Sequence, residues 1–309
     1  MKPLLLAFAE GLDLAGELAC GLDAITGSVL RHRFPDRESL VRLDGDCRGR
    51  EVIVLCSLRD PDDLALPLLF AARTARELGA RRVGLVAPYL AYMRQDARFH
   101  PGEAVSSTHY AAFLSWTFDW LVTVDPHLHR RASLAEIFAM PTRRVSAMPP
   151  VAEWIRANVA APLLIGPDEE SRQWVQEAAA RIQAPFVVLA KHRRGDRDVE
   201  VSIPGAALPA GRTPVLLDDI AASGGTLIQA VSRVRRLGGA DPVCVVVHGL
   251  FADACDRALL QAGAARVVST DAVPHATNAI GLAAELVPAI RELLAGKTSP
   301  VSGGDVDAR

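Results

Sequence analysis

The chain has 309 residues, half of them hydrophobic, which is enough for roughly two domains with substantial cores. Its 34 Lys and Arg stand against 36 Asp and Glu, a formal net charge of −2, so no global field favours nucleic acid or an anionic membrane surface. Five scattered cysteines (Cys20, Cys47, Cys56, Cys244 and Cys255) show no Cys-x-x-Cys spacing, which argues against a disulfide framework and a zinc site and fits buried small hydrophobes. No run reaches the length of a transmembrane helix, and Met1-Lys2-Pro3-Leu4-Leu5-Leu6 enters acidic sequence too soon for a signal peptide, so a cytoplasmic protein is expected.

Apolar runs bounded by turn residues alternate with amphipathic segments, the pattern of βαβ units around mostly parallel sheets and hence of an α/β fold. In the first half, strands are predicted near 4–9, 51–57, 82–87 and 120–124, with helices over 13–22, 63–78 and 106–117. The second half repeats the rhythm. Its strands are predicted near 162–165, 186–189, 199–203, 214–217, 243–248 and 266–270, and its helices over 169–183, 226–237, 252–263 and 280–294. Met148-Pro149-Pro150 is the expected boundary, giving halves 1–148 and 149–296, with the last helix able to pack back on the first half. Residues 297–309, rich in Ser, Gly and Asp, lack apolar periodicity and are expected to be disordered.

The stretch with the most chemistry is 214–227. Pro214-Val215-Leu216-Leu217 reads as a buried strand that delivers Asp218 and Asp219 to its carboxyl end, where open α/β sheets place their ligand crevice. Ser223-Gly224-Gly225-Thr226 follows, with side chains small enough to leave backbone N–H groups open to an anion at the first turn of a helix. A phosphate cradle beside two carboxylates suits a sugar phosphate, whose hydroxyls donate to the acids, or a divalent ion held by them. The alternative is an ordinary strand-to-helix turn, against which stands the cost of two adjacent like charges in a buried turn.

Other candidates lie at further strand exits. Arg94, Gln95 and Arg98 occupy a stretch with little apolar content after Pro88-Tyr89, able to move and to pair with phosphate oxygens, or equally a surface loop with incidental arginines. His127 follows the strand 121–124 and Asp125; it suits cation coordination or a structural Asp-His hydrogen bond. Asp168 follows 163–166 and serves either a hydrated metal ion or the cap of the next helix. Lys191-His192-Arg193-Arg194 supplies cations for a phosphoryl group, or simply a solvated basic turn.

Six segments, in order, resemble the ribose-phosphate pyrophosphokinase family from about residue 34 to 287. Phe34-Pro35-Asp36-Arg37-Glu38 is similar to the hairpin segment that contacts adenine, commonly from a neighbouring subunit, which implies ATP-binding roles for Phe34, Asp36 and Glu38. Residues 89–98, with Arg94, Gln95 and Arg98, resemble the nucleotide-binding segment, and Val124-Asp125-Pro126-His127 resembles the segment whose His helps to hold magnesium. Gly166-Pro167-Asp168 is similar to a second magnesium-associated turn, Lys191-His192-Arg193 to the mobile catalytic loop, and residues 218–226 to the ribose 5-phosphate loop.

The resemblance implies two similar domains of type I phosphoribosyltransferase-like architecture, each a mostly parallel sheet flanked by helices. It also implies ATP and ribose 5-phosphate as substrates, Mg²⁺ as cofactor, a dimer or hexamer, and pyrophosphoryl transfer from ATP to the anomeric hydroxyl. Lys191 and Arg193 would then be catalytic, His127 and Asp168 metal-associated, and Asp218, Asp219, Ser223, Gly224, Gly225 and Thr226 sugar-phosphate ligands. Four positions depart from the family pattern. Ala222 stands where many members carry a third Asp, Glu169-Glu170-Ser171 replaces Gly-Gly, Pro126 replaces Leu, and the basic run after Asp96 shrinks to Ala97-Arg98. A non-catalytic regulatory paralogue and a phosphoribosyltransferase are the rival readings.

Overall fold

The structure, a computed structural model, describes residues 1–9, 12–128, 130–194, 198–202, 209 and 211–296, with backbone alone for residue 12, 190–194 and 198–202. The tail expected to be disordered lies outside the described residues.

The first half runs β1 (Leu4–Phe8), α1 (Leu12–Leu22), β2 (Ile25–Arg33), β3 (Ser39–Asp44), β4 (Glu51–Leu55), α2 (Pro61–Glu77), β5 (Arg82–Ala87), α3 (Ser106–Thr117), β6 (Trp120–Val124) and β7 (Thr142–Val145). These strands form one sheet in the order β3-β2-β1-β4-β5-β6-β7, parallel except for the β2–β3 hairpin. After α4 (Met148–Asn158) come β8 (Pro162–Gly166), α5 (Arg172–Ile182), β9 (Phe186–Val188), β10 (Ala190–Arg194), β11 (Asp198–Ser202), β12 (Thr213–Ala221), α6 (Gly225–Arg236), β13 (Val243–Gly249), α7 (Cys255–Gln261), β14 (Arg266–Thr270), β15 (Asn278–Ile280) and α8 (Ala283–Leu294). The second sheet is parallel in the order β15-β14-β13-β12-β8-β9, and β10 and β11 form a separate antiparallel ribbon.

Strand alternation assigns each face. In β1, Leu5 and Ala7 join a core with α1, whereas Leu4, Leu6 and Phe8 join a second core with α2 and α3. In the second sheet, Leu164, Val215, Leu217, Val245 and Val268 enter the first core, while Leu163, Ile165, Leu216 and Val246 pack against α6 and α7. One helical layer of α1, α4, α5 and α8 is therefore shared by both sheets. α8 leaves the second sheet to pack on α1, where a Cβ on Gly21 would come within 2.6 Å of Val287 Cγ2, so only glycine permits that approach. Arg82 Nη2 donates to the carbonyls of Leu293 and Leu294 at 3.1 and 2.9 Å, fixing the end of α8 on the first sheet. Among the described residues no helix is long and apolar enough to cross a membrane.

Several local expectations change. Met148-Pro149-Pro150, the expected boundary, forms the start of α4 after the last strand of the first sheet; proline at the first turn gives up only an N–H that has no helical partner. β2, β3 and β7 escape prediction because their polar residues face solvent on edge or hairpin strands; β2, for example, buries only Val29. Helix 169–183 starts as a 3-10 turn at Glu169–Ser171, helix 252–263 as another at Ala252–Ala254, and Ile280 ends a strand before α8 starts at Ala283. Residues 191–194, read as a turn, lie in β10, and the strand predicted at 199–203 is β11, which pairs with β10 outside the main sheet; residue 203 lies outside the described residues. β12 continues past Leu217 through both acids, because Ile220 pairs with His248 and Ala221 with Gly249.

Candidate active site

The exits of β8 and β12 are adjacent, and the chain leaves them in opposite directions across the sheet, toward β9 and toward β13. That is the switch point at which open α/β sheets form a crevice. A cleft of about 360 Å³ opens there, lined by Asp168 and Glu170 from the β8 exit and by Asp218, Asp219, Ala222 and Ser223–Thr226 from the β12 exit. Arg94 and His127 reach the same cleft from the first half.

The cradle is formed locally. Phe251 and Ala252 donate their N–H groups to the carbonyls of Ala221 and Ala222 at 2.9 and 3.0 Å, tying the β12 exit to the end of β13. Gly224 adopts φ 72° before α6, and a Cβ there would lie 2.1 Å from Cys255 Sγ, so the turn requires glycine on both counts. The first N–H groups of α6 have no intrahelical acceptor and carry the positive end of the helix dipole, which equips them for phosphate.

The acids are ordered as well as numerous. Asp218 Oδ1 accepts the N–H of Asp219 at 3.1 Å, and the buried Asp219 carboxylate meets His127 Nδ1 at 2.8 Å. His127 thus pairs across the two halves and not with Asp125, as a local reading of the strand exit allowed. Asp125 has another task. Its carboxylate, fully buried, accepts from Ala147 N–H at 2.8 Å and Arg144 Nη2 at 3.1 Å, while burial raises its pKa despite these partners. The Asp125 carbonyl lies 3.3 Å from His248 Nε2. Since a carbonyl only accepts, the tautomer consistent with this contact carries its proton on Nε2. These contacts hold Asp125 at φ 31°, a conformation that costs a non-glycine residue on the order of 1–3 kcal/mol.

His248 was a plain strand end in sequence. It is buried beside Tyr89, ring centroids 5.1 Å apart, and burial pushes its pKa down to about 4, so it is neutral near pH 7. A polar residue closing an apolar strand run was the available signal, and it indicates burial with a partner only when the partner's fold is known. Arg144 gave no signal, because it lies in the polar strand β7, which periodicity does not reveal.

The remaining candidates fall elsewhere. Gln95 accepts from Ser106 Oγ at 2.6 Å, closing its loop on the start of α3, and Arg98 Nε donates to the Glu103 carbonyl at 2.9 Å; neither lines the cleft. Phe34, Asp36 and Glu38 form the tip of the β2–β3 hairpin, with Phe34 edge-on to His32 and Glu38 N–H bonded to Asp36 Oδ1 at 3.1 Å; they do not line the cleft either. Lys191 and Arg193 lie on β10, with side chains outside the described residues. Of the two extra acids after Asp168, Glu169 turns away to Arg172, 2.9 Å from Nη2, and only Glu170 lines the cleft. Asp168 joins its 3-10 turn through its carbonyl, which accepts from Ser171 Oγ at 2.6 Å.

Four carboxylates therefore face one arginine and one imidazole among the described lining residues. No three of the described His, Cys, Asp or Glu groups converge as a metal cage. A cation that takes one or two protein carboxylates and completes its shell with phosphate and water fits this donor set better than a fully chelated one.

The family model described as the N-terminal domain of ribose phosphate pyrophosphokinase matches residues 4–117, and the phosphoribosyl transferase domain model matches 150–285. The ribose-phosphate pyrophosphokinase of Methanopyrus kandleri is 33% identical, over 94% of this chain and 99% of that protein. That of Methanobrevibacter smithii is 30% identical, over 91% and 97%. The crystal structure of phosphoribosylpyrophosphate synthetase from Mycobacterium smegmatis has the same fold, with a TM-score of 0.81 at 24% identity over 96% of this chain and 100% of that one. Sequence similarity over nearly the whole length and the shared two-sheet fold agree with the order of the motifs: the chain belongs to the ribose-phosphate pyrophosphokinase family.

Proposed function

We propose that the protein is a ribose-phosphate diphosphokinase, converting ATP and D-ribose 5-phosphate to AMP and 5-phospho-α-D-ribose 1-diphosphate. The observation that carries this reading is the meeting, in one cleft, of the α6 phosphate cradle, the Asp218-Asp219 pair and two first-half groups, Arg94 and His127. A phosphoribosyltransferase needs no such contribution from a preceding domain.

Ser223–Thr226 hold the 5-phosphate on the open N–H groups of α6, and Asp218 and Asp219 accept hydrogen bonds from the ring hydroxyls, turning the anomeric hydroxyl toward the β-phosphorus of ATP. Arg94 pairs with the polyphosphate from the opposite wall. Asp168 and His127 would hold Mg²⁺, which when bound supplies charge neutralisation at the polyphosphate. Lys191 and Arg193 complete the transition state: pyrophosphoryl transfer is loose, charge collects on the transferred oxygens, and a compact ammonium and a planar guanidinium both suit it. The hairpin tip at 34–38 is exposed and does not line its own chain's cleft. An adenine contact from it requires a second copy, so activity is tied to a homo-oligomer. A cytoplasmic location accords with these substrates.

The test is incubation of the pure protein with ATP, Mg²⁺ and ribose 5-phosphate. Stoichiometric AMP and phosphoribosyl diphosphate are expected, and absence of turnover with any nucleoside triphosphate rejects the reading. Lys191→Ala should collapse kcat without unfolding the chain; an unchanged rate rejects its role. A regulatory paralogue without turnover is the second reading, favoured by Ala222, which lines the cleft without a carboxylate, and by Glu170, which adds a charge facing the polyphosphate path.

A further inference from the structure

The two groups that the first half sends into the cleft, Arg94 and His127, each stand two residues beyond a non-glycine residue at positive φ. Tyr92 has φ 66° in the stretch after β5, and Asp125 has φ 31° at the exit of β6, the strand that pairs with β5. Gln183 ends α5 at positive φ and Arg37 turns the tip of the β2–β3 hairpin, ordinary uses of that conformation. Tyr92 and Asp125 close neither a helix nor a hairpin. A non-glycine residue stays in this region only where its surroundings over-determine it, and such residues cluster at functional sites.

Both residues are clamped. Tyr92 O–H donates to Asp62 Oδ1 in the first turn of α2, its ring packs on that of Tyr110 of α3 with centroids 4.8 Å apart, and its carbonyl accepts from Gln95 N–H at 3.1 Å. Asp125 is held at every polar group. Its N–H donates to the Val145 carbonyl at 2.9 Å, its carboxylate accepts from Ala147 and Arg144, and its carbonyl faces His248. The next residue is fixed in both cases: Met93 is buried in the core with α2 and α3, and the ring of Pro126 locks its φ. The direction in which Arg94 and His127 leave is therefore set from outside the cleft, by α2 and α3 for the one and by β7, the start of α4 and β13 for the other.

We infer that Tyr92 and Asp125 are positioning residues, whose strained backbone turns Arg94 and His127 into the cleft of the second half. The inference rests on the proposed transfer, in which those two groups meet the polyphosphate and its cation. Neither strained residue lines the cleft, so contact with substrate does not account for its conformation. At His127 the result of the aim is a bond between the halves, with Nδ1 2.8 Å from Asp219 Oδ2. Arg94 is exposed and long, and an arginine that is not aimed loses more rotamer freedom when it reaches a phosphate.

Calorimetric titration of the full chain with ATP and Mg²⁺, beside kcat/KM from AMP release, tests the aim. Tyr92→Phe keeps the ring contact and loses the bond to Asp62, and Asp125→Ala loses the carboxylate clamp; each is expected to weaken ATP binding and lower kcat/KM roughly tenfold. In an Arg94→Ala background Tyr92→Phe should have no further effect, nor Asp125→Ala in a His127→Ala background, because the residue being aimed is gone. Asp62→Asn keeps an acceptor for the Tyr92 hydroxyl and should stay within about threefold of the parent. If Asp125→Ala fails to fold, Arg144→Gln, at an exposed strand residue outside the cleft, takes its place. Losses that persist undiminished in the Arg94→Ala and His127→Ala backgrounds, parent-like affinity and rate in the single variants, or an Asp62→Asn loss as large as that of Tyr92→Phe each overturn the proposal. Coupled losses of ATP affinity without AMP release uphold the positioning and reject the proposed function, whereas turnover with additive losses does the reverse; a chain that does not bind ATP overturns both.

Discussion

The second-sheet cleft has a counterpart in the first sheet, a crevice of about 420 Å³ where the chain leaves the neighbouring strands β1 and β4 in opposite directions; the two share a strand plan and differ in how the chain leaves the strands. After β12 it makes a left-handed glycine turn and starts α6 with its N–H groups open to the cleft, whereas after β4 it runs through Ser57 and Arg59 and starts α2 with Pro61, which has no N–H to offer. The second-sheet cleft carries four carboxylates and the open N-terminus of α6 among its described lining. The first-sheet crevice is mainly apolar, with Asp13 and Asp271 as the acids among its described lining residues. Backbone donors, more than strand topology, decide which crevice can take a phosphate.

The largest effect should come from the paired acids. Asp219→Ala removes the partner of His127 and an acceptor for the sugar, and is expected to lower kcat/KM by about 10³ or more, read as AMP release. A loss below about tenfold would detach Asp219 from the chemistry. Next is the glycine turn. Gly224→Ala, strained at positive φ and in contact with Cys255, should cost about 2–4 kcal/mol in denaturant unfolding and raise the KM for ribose 5-phosphate. Gly225→Ala meets open space and should stay within about 1 kcal/mol. Equal effects would mean that the turn does not depend on Gly224.

A buried group and a half-buried one make opposite pH predictions. His248 has a folded pKa of about 4, below its ordinary 6.5, so its contribution is present above about 6.5 and is lost as pH falls toward 4. His248→Phe should flatten that limb, by about 2–3 kcal/mol at most, while losing the bond to Asp125 and slowing turnover. Asp271 has a folded pKa of about 7, raised from 3.8 by burial and then by the charge of Glu17, so its contribution is present below about 4 and is lost as pH rises toward 7. Asp271→Asn should therefore gain about 2–4 kcal/mol relative to the parent at pH 8 and nothing at pH 4 in urea titrations. The same dependence in both variants would contradict the assigned burial. The smallest effects concern the acids after Asp168. Glu170→Gln should lower the KM for ATP a few-fold and Glu169→Gln should change it little, since Arg172 already holds Glu169 away from the cleft.

Much of the site was legible because strand exits are legible. An apolar run leading into Asp218-Asp219 and a small-residue turn marks the carboxyl end of a strand, and Asp168 and His127 follow runs of the same kind; all four line the cleft. Gln95 and Arg98 were read from a motif on a loop, and loop side chains take their partners from whatever packs beside them; here those are Ser106 and the Glu103 carbonyl. The hairpin strands β2 and β3 were invisible to periodicity because they are mostly solvated.

The sequence by itself determined the βαβ rhythm, the near-neutral charge balance, the position of the acids and the glycine turn, because each depends on composition or on residues within a few positions of one another. Only the tertiary structure decided that His127 reaches Asp219 across a separation of 92 residues, that His248 anchors Asp125, and that both sheets pack on one layer of helices. Those contacts depend on how two sheets are stacked, and hydrophobic periodicity specifies that a face is buried without specifying what buries it.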